Sequence, residues 1–324
     1  KQRRLSLPRV MTSPLTFLST GDPGGIGPEI SAKALLRFPA TLPYLVGPKR
    51  VLYRSLERWA PTLLPQSERI LRFALEDERE LFTPSPESGD CSFLSFRRAL
   101  ELAEARPGST VVTAPISKEL WLKAGHPWKG HTEYLESRYG TSPIMFFWGP
   151  RFKVALFTHH IPLKSLWKMV TPERLLPFFR LLHNELNVRY HLGFRFYCGS
   201  INPHSGENGT LGEEEENLLK PVVSQLREES IPLEPPAPND TLFYRLRNDP
   251  KAVIVSFSHD LGLTPFKLLY FDKGVNLSLG LPVVRTSPDH GTAFDLAGKG
   301  VASEGSLVRA LRLARSLQRR RALG

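Results

Sequence analysis

The chain has 324 residues, enough for two domains or one large one with an ample core. Hydrophobic residues make up 41% and charged residues 23%, an ordinary globular composition that sets aside disordered and fibrous classes. No apolar run approaches the ~20 residues a membrane helix needs, and Lys1–Val10 lacks the long apolar stretch of a secretory signal, so a cytoplasmic enzyme is expected.

The net charge of +11 suggests a nucleic-acid partner until its distribution is followed. Lys1, Arg3, Arg4 and Arg9 at one end, and Arg309, Arg312, Arg315, Arg319, Arg320 and Arg321 at the other, carry nearly all of it, and neither stretch holds an acid. The body is close to neutral, so neither a nucleic-acid face nor a membrane surface is expected. Met11 offers a start that would make the first ten residues a leader. Cys91 and Cys198 are the two cysteines; so few thiols, far apart, read as reduced and buried.

Short β-rich runs alternate with helical patterns. Residues 15–19 read as a strand, followed by the turn Gly21-Asp22-Pro23-Gly24-Gly25-Ile26-Gly27 and a helix with Pro28 in its first turn. Strands are expected at 111–114, at the pair 144–148 and 154–158, at 196–199 and at 252–257. Helices are expected at 116–123, after Pro172 and at 213–226, with a last helix carrying Leu307, Leu311, Ala314 and Leu317 on one face and arginines elsewhere. The acids Glu213–Glu216 read as a dipole-complementing or solvated helix start. Pro-rich residues 84–86 and 232–238 read as loops. This alternation argues an α/β architecture with a mostly parallel sheet.

Five segments can carry chemistry. The glycine turn is neither Gly-x-Gly-x-x-Gly nor a P-loop: Ile30 stands where the third glycine should be, and no Gly-Lys-Ser/Thr follows. It reads either as an anion site of free backbone N–H groups or as a tight structural turn. Gly130-His131-Thr132-Glu133 can donate to a phosphate through imidazole and hydroxyl, though Thr followed by Glu is also ordinary helix-start chemistry. Thr158-His159-His160-Ile161-Pro162 follows a strand, where adjacent side chains point apart, so both histidines do not serve one ion. Asn202-Pro203-His204-Ser205-Gly206 reads as a rigid exposed loop. Ser258-His259-Asp260 follows another strand. No compact zinc motif spaces histidines as 160, 204 and 259 are spaced. What joins them is that each follows a strand, and strand ends of a parallel sheet collect at one edge.

Taken together, the stretches STGDPGGIGPEI, VVTAPISKE, GHTEYLE, THHIPL, INPHSGENG with LGEEE, PNDTLF, SHDLG and VNLSLGLPVVRTSPDHGTAFDLAG resemble, in this order, the 4-hydroxythreonine-4-phosphate dehydrogenase family of vitamin B6 biosynthesis. The resemblance implies an isocitrate/isopropylmalate dehydrogenase-like α/β fold, with two α/β/α domains and an interdomain cleft. The approximate domains are residues 11–130 plus 270–324, and residues 131–269. It also implies a homodimer whose site lies at the subunit interface. A divalent metal is implied on three histidines, carried over to His160, His204 and His259, with His160 chosen over His159 because it precedes Ile161-Pro162-Leu163. Substrate contacts carry over to His131, Thr132, Asp240, Lys267, Asn276 and Arg285.

There are departures from the family pattern. Ser258 and Leu261 replace the usual Tyr and Gln around His259-Asp260, His159 a usual Thr, Ser205 a common Ala and Gly24 a common Ala. They leave the ligands intact and loosen the substrate assignment.

The implied reaction is oxidation of the 3-hydroxyl of 4-phosphooxy-threonine by NAD or NADP, giving a β-keto acid that decarboxylates to 3-amino-2-oxopropyl phosphate. Zinc suits three imidazoles best, with cobalt or magnesium as alternatives. Lys267 and Asp260 are the candidates for general base. The alternatives are a dehydrogenase of 4-phosphorylated threonate or erythronate and, more distantly, a metal-dependent hydrolase.

Overall fold

The computed structural model describes residues 13–322, so the basic N-terminal segment and Met11 lie outside the described residues. Ten strands form one sheet. They are β1 (Thr16–Ser19), β2 (Tyr44–Val46), β3 (Thr110–Thr113), β4 (Ile144–Trp148), β5 (Lys153–Leu156), β6 (Arg195–Gly199), β7 (Leu233–Ala237), β8 (Ala252–Ser256), β9 (Val275–Leu279) and β10 (Val284–Pro288). Their order is β2-β1-β3-β10-β9-β4-β5-β8-β6-β7.

The sheet is mostly parallel, as expected, with an antiparallel stretch at its centre that the sequence did not show. Strands β2, β1, β3 and β10 are mutually parallel. So are β5, β8, β6 and β7. Antiparallel β9 and β4 stitch these blocks together, so the blocks run in opposite directions. Strand ends therefore do not collect at one edge of the whole sheet. Within the second block, however, β5, β8 and β6 are neighbours with a common direction. Their C-terminal ends feed the segments that carry His160, His259 and His204 respectively. Both blocks have buried strands, with every residue of β1, β3, β5 and β8 inaccessible, because helices cover the two faces and make the strands read as apolar runs.

The last helix, Gly305–Arg321, buries Leu307, Leu311, Ala314 and Leu317 completely and leaves Arg309, Arg312 and Arg319 in water. It lies against β10, where the Thr286 hydroxyl donates to the Ala310 carbonyl at 3.0 Å. Both cysteines are buried and free, and burial pushes the Cys91 thiol up to about 12. Among the described residues no helix is long and apolar enough to cross a membrane.

The glycine turn resolves to its structural reading. Its amides are used internally: those of Gly24 and Gly25 donate to Asp22, and that of Ile26 donates to the Thr292 carbonyl at 3.0 Å. A Cβ on Gly27 would lie 2.0 Å from the Thr20 carbonyl oxygen, so only glycine lets the helix Gly27–Leu35 sit this close to β1. Buried Glu29 pairs with Lys33 at 2.7 Å and accepts from the Gly300 and Ala302 amides, clamping the 300–302 segment onto this helix.

Three local expectations are corrected. Residues 232–238 contain a strand, not only loop: β7 is an edge strand, where Pro235 and Pro236 need donate to no further neighbour. Pro86 opens a 19-residue helix, Pro86–Glu104, because Ser85 and Ser88 form a reciprocal cap. The helix expected over 213–226 begins as a wide π-type turn, Glu215–Leu219, and becomes α-helical at Lys220–Glu228. Its Glu215 is fully buried, which overturns the solvated reading for that residue.

Candidate active site

A cavity of ≈ 320 Å³ opens where the two blocks meet. It is lined by the β3 end and the segment after it (Thr113–Ile116, Lys118), the helix start Gly130–Glu133, His160, one face of the helix His259–Tyr270 (His259, Leu263, Lys267), and Asn276, Arg285 and Ser287–Gly291 from β9, β10 and beyond. His259, Leu263 and Lys267 share that face because they are spaced by four. Gly130, at φ +147°, turns the chain into the helix His131–Tyr139 in a conformation that glycine tolerates.

Arg285 dominates the electrostatics. Its side chain is 3% exposed and donates to the Thr113 hydroxyl at 2.7 and 3.2 Å and to the Ser278 hydroxyl at 3.3 Å. It pairs with no carboxylate among the described residues, and burial pulls its guanidinium down to about 10. A buried cation held by hydroxyls alone is an electrostatic deficit that an anionic ligand fills.

His131 lies beside it. Burial, then the charges of Arg285 and Lys118, hold its imidazole well below the ordinary histidine range, so the ring is neutral. Its buried Nε2, the Oδ1 of Asn276 and the Nε2 of His290 have no hydrogen-bond partner among the described residues. All three groups line the cavity. Polar atoms left bare in a polar cavity point to a ligand or water. Lys267 Nζ lies 3.3 Å from Asp289, whose carboxyl burial pushes up.

The histidines divide into two groups. The His160 and His259 rings are 5.7 Å apart between centroids. Glu133 lies 3.6 Å from His160 Nδ1, and Asp260 lies 2.7 Å from His259 Nδ1. The Asp260 contact is a hydrogen bond that fixes the His259 ring and leaves its Nε2 available as a ligand, whereas Glu133 stands beyond hydrogen-bond distance of His160. His204 is exposed on the loop after β6 and lines no part of this cavity, and Asp240 is exposed in the first turn of the helix Asn239–Leu246. Asp260, also exposed, lies in an adjoining pocket with His159, His160 and His259 rather than in the cavity itself. Among the described residues of one chain, no three His, Cys, Asp or Glu side chains converge as a metal site would require.

The cavity thus gathers His131, Thr132, His160, His259, Lys267, Asn276 and Arg285 from the residues singled out in the sequence, and leaves His204, Asp240 and Asp260 outside it. Sequence reasoning passed over Lys118, Glu133, Ser287, Asp289 and His290. The available signal was position: Ser287 to His290 stand at and just beyond the end of β10.

Fold and cavity together define an α/β protein with a buried arginine, paired with no carboxylate among the described residues, in a cavity that also holds a pair of histidines. Residues 51–314 match the family described as pyridoxal phosphate biosynthetic protein PdxA, and the chain belongs to that family. It is 38% identical to a 4-hydroxythreonine-4-phosphate dehydrogenase of Methylorubrum populi, covering 94% of each chain. It is 35% identical to an Oceanobacillus iheyensis protein named provisionally as a D-threonate 4-phosphate dehydrogenase, covering 92% of this chain and 96% of that one. Its fold is that of the crystal structure of 4-hydroxythreonine-4-phosphate dehydrogenase from Klebsiella pneumoniae, with a TM-score of 0.75, 29% identity, and coverage of 94% and 100%.

Proposed function

We propose that the chain is a divalent-metal-dependent, NAD(P)-linked dehydrogenase that oxidises the 3-hydroxyl of 4-phosphooxy-threonine in pyridoxal phosphate biosynthesis. The observation that carries this reading is Arg285: a buried guanidinium without a carboxylate, opening into a cavity with His131 and Asn276. A phosphate or carboxylate seated there takes charge-assisted bonds from Arg285 and neutral bonds from His131, Thr132 and Asn276, which fixes the substrate for reaction. A bound nicotinamide would supply the hydride acceptor; a base of this chain takes the hydroxyl proton, and the resulting β-keto acid would lose carbon dioxide to give 3-amino-2-oxopropyl phosphate.

Lys267 is the better placed of the two candidate bases, because it faces the cavity while Asp260 faces His259 and solvent. Asp260 then acts by orienting the His259 ring. The nicotinamide is assigned to the cleft between residues 11–130 plus 270–324 and residues 131–269. That division follows the sheet, since β1–β3, β9 and β10 form one half and β4–β8 the other.

His160 and His259 suit a divalent ion such as zinc, with their rings close and the Nδ1 of His259 held by Asp260. The third imidazole, carried over to His204, is proposed to come from a second copy of this chain, as is Asp240. Beside the histidine pair Leu163, which shares the adjoining pocket with His160 and His259, is 71% exposed, and Trp167 on the same segment is 50% exposed. Such a surface is what a homodimer interface covers. Bound there, the ion acts as a Lewis acid that lowers the alcohol's pKa.

A second reading is favoured by the Oceanobacillus relative and by Ser258 and Leu261 beside His259: the substrate is a 4-phosphorylated threonate or erythronate. A panel of the three 4-phosphorylated acids, each with NAD or NADP and added metal, distinguishes the readings by nicotinamide absorbance. Fastest turnover of 4-phosphooxy-threonine supports the first reading. No reduction with any of them contradicts both.

A further inference from the structure

The loop that carries His204 is held in a backbone conformation that its residue types disfavour. His204, Ser205, Gly206, Glu207 and Asn208 all have φ between +45° and +76°, a left-handed turn with four non-glycine residues. Side chains with a Cβ are disfavoured there, so the surroundings help enforce the conformation. The His204 ring itself is exposed, and its direction is set by this backbone.

What enforces the turn is Glu215, from the wide π-type turn ahead of Lys220–Glu228. Its carboxylate is 0% exposed. Oε1 accepts from the backbone amides of Ile201 at 2.7 Å and Asn202 at 2.8 Å, and Oε2 accepts from the Asn202 side-chain amide at 2.9 Å. The same carboxylate packs on the middle of the turn: a Cβ on Gly206 would lie 2.8 Å from Oε2 and 2.5 Å from the Gly212 carbonyl. One buried acid thus grips the loop before His204 and after it. It forms no ion pair among the described residues, so its charge is met by amide donors alone.

Only a carboxylate satisfies this cradle. A glutamine at 215 carries one NH2 group, and in either orientation that group faces a donor, either the two backbone amides or the Asn202 side chain, which cannot flip without turning its Oδ1 to the Glu214 carboxylate that its Nδ2 also reaches at 2.7 Å. A buried charge kept at this cost, at a strained loop, marks a role beyond packing.

We propose that Glu215 is the positioning residue that fixes the left-handed His204 turn and so presents His204 to the metal. This rests on the metal-binding reading above, in which His204 is a ligand. Glu215 touches neither metal nor substrate and acts through the loop.

The test uses the purified full-length protein and zinc alone as the probe, with zinc affinity and zinc content per chain as readouts. Glu215→Gln should weaken zinc binding by about 10- to 100-fold, the usual effect of losing an outer-shell partner. The matched control Glu213→Gln, an exposed acid two residues earlier, should bind zinc as the wild type does. If Glu215→Gln does not fold, Asn202→Ala releases the grip from the other side and should weaken zinc binding in the same direction.

Wild-type affinity in the folded Glu215→Gln protein, while His204→Ala loses zinc, overturns the proposal. So does wild-type affinity in Asn202→Ala where that variant stands in. Wild-type protein that takes up no zinc, or His204→Ala that retains it, overturns the metal reading instead and the proposal with it.

Discussion

Replacing Arg285 with methionine keeps most of the side-chain volume and removes the charge. Burial has pulled this guanidinium down to about 10, more than a hundredfold in proton affinity. At about 1.4 kcal/mol per tenfold, the unliganded protein bears roughly 3 kcal/mol to keep the cation there. Set against this are the hydrogen bonds to Thr113 and Ser278, each with a net worth of roughly 1–2 kcal/mol. Arg285→Met should therefore leave the unliganded protein about as stable as the wild type, within roughly 1–2 kcal/mol. Ligand binding should behave oppositely, because an anion loses charge-assisted bonds worth about 3 kcal/mol, a weakening of about 100-fold. Urea denaturation with and without inorganic phosphate measures both. Phosphate should stabilise the wild type by linkage and leave the variant unmoved. A variant several kcal/mol less stable that is still stabilised by phosphate would refute the reasoning, since Arg285 would then be a structural residue.

The remaining predictions concern neighbouring groups. His131 takes up its proton near pH 6.5 in the unfolded chain and well below that when folded. The unfolded state therefore binds more protons as pH falls below about 6.5, and stability should decline from there downward; His131→Asn should flatten that decline in denaturation midpoints measured across pH. Lys267→Met should cut kcat by about 10²- to 10⁴-fold, the usual worth of a general base, and Asp260→Asn by less, about 10- to 100-fold and through weakened metal binding. The reverse ranking would move the base to Asp260. If His204 serves across the dimer, inactive His204→Ala and inactive His160→Ala proteins should regain zinc-dependent activity when dissociated and reassociated together, and failure to complement would confine the site to one chain.

The sequence makes the architecture legible where local physics decides it. Buried strands such as β5 and β8 appear as apolar runs, and Pro28 and Gly27 mark a helix start. The antiparallel pair β9 and β4 reverses the sheet, but β4 reads as an apolar run and β9 as an alternating one, and neither pattern says which strand is the neighbour or in which direction it runs. His160 and His259 converge because their strands are adjacent and co-directional, which strand-end reasoning anticipates. His204 follows the next strand in the same block and still lies outside the cavity, because adjacency of strands does not fix where the following loop points. Glu215 was hidden among four acids of which it alone is fully buried, and its partners are backbone amides that no sequence pattern displays. Asp289 and Glu133 enter the cavity only through the meeting of the two blocks, a long-range event.

On the proposed reading, the Arg285 cavity selects a 4-phosphorylated hydroxy-acid for oxidation. The direct measurement is nicotinamide reduction by the purified protein with 4-phosphooxy-threonine and, in parallel, with 4-hydroxythreonine lacking the phosphate. The account predicts metal-dependent reduction with the phosphorylated acid and a loss of at least about 100-fold in kcat/KM without the phosphate. Equal rates with both, or no reduction with any phosphorylated acid of the series, would contradict it.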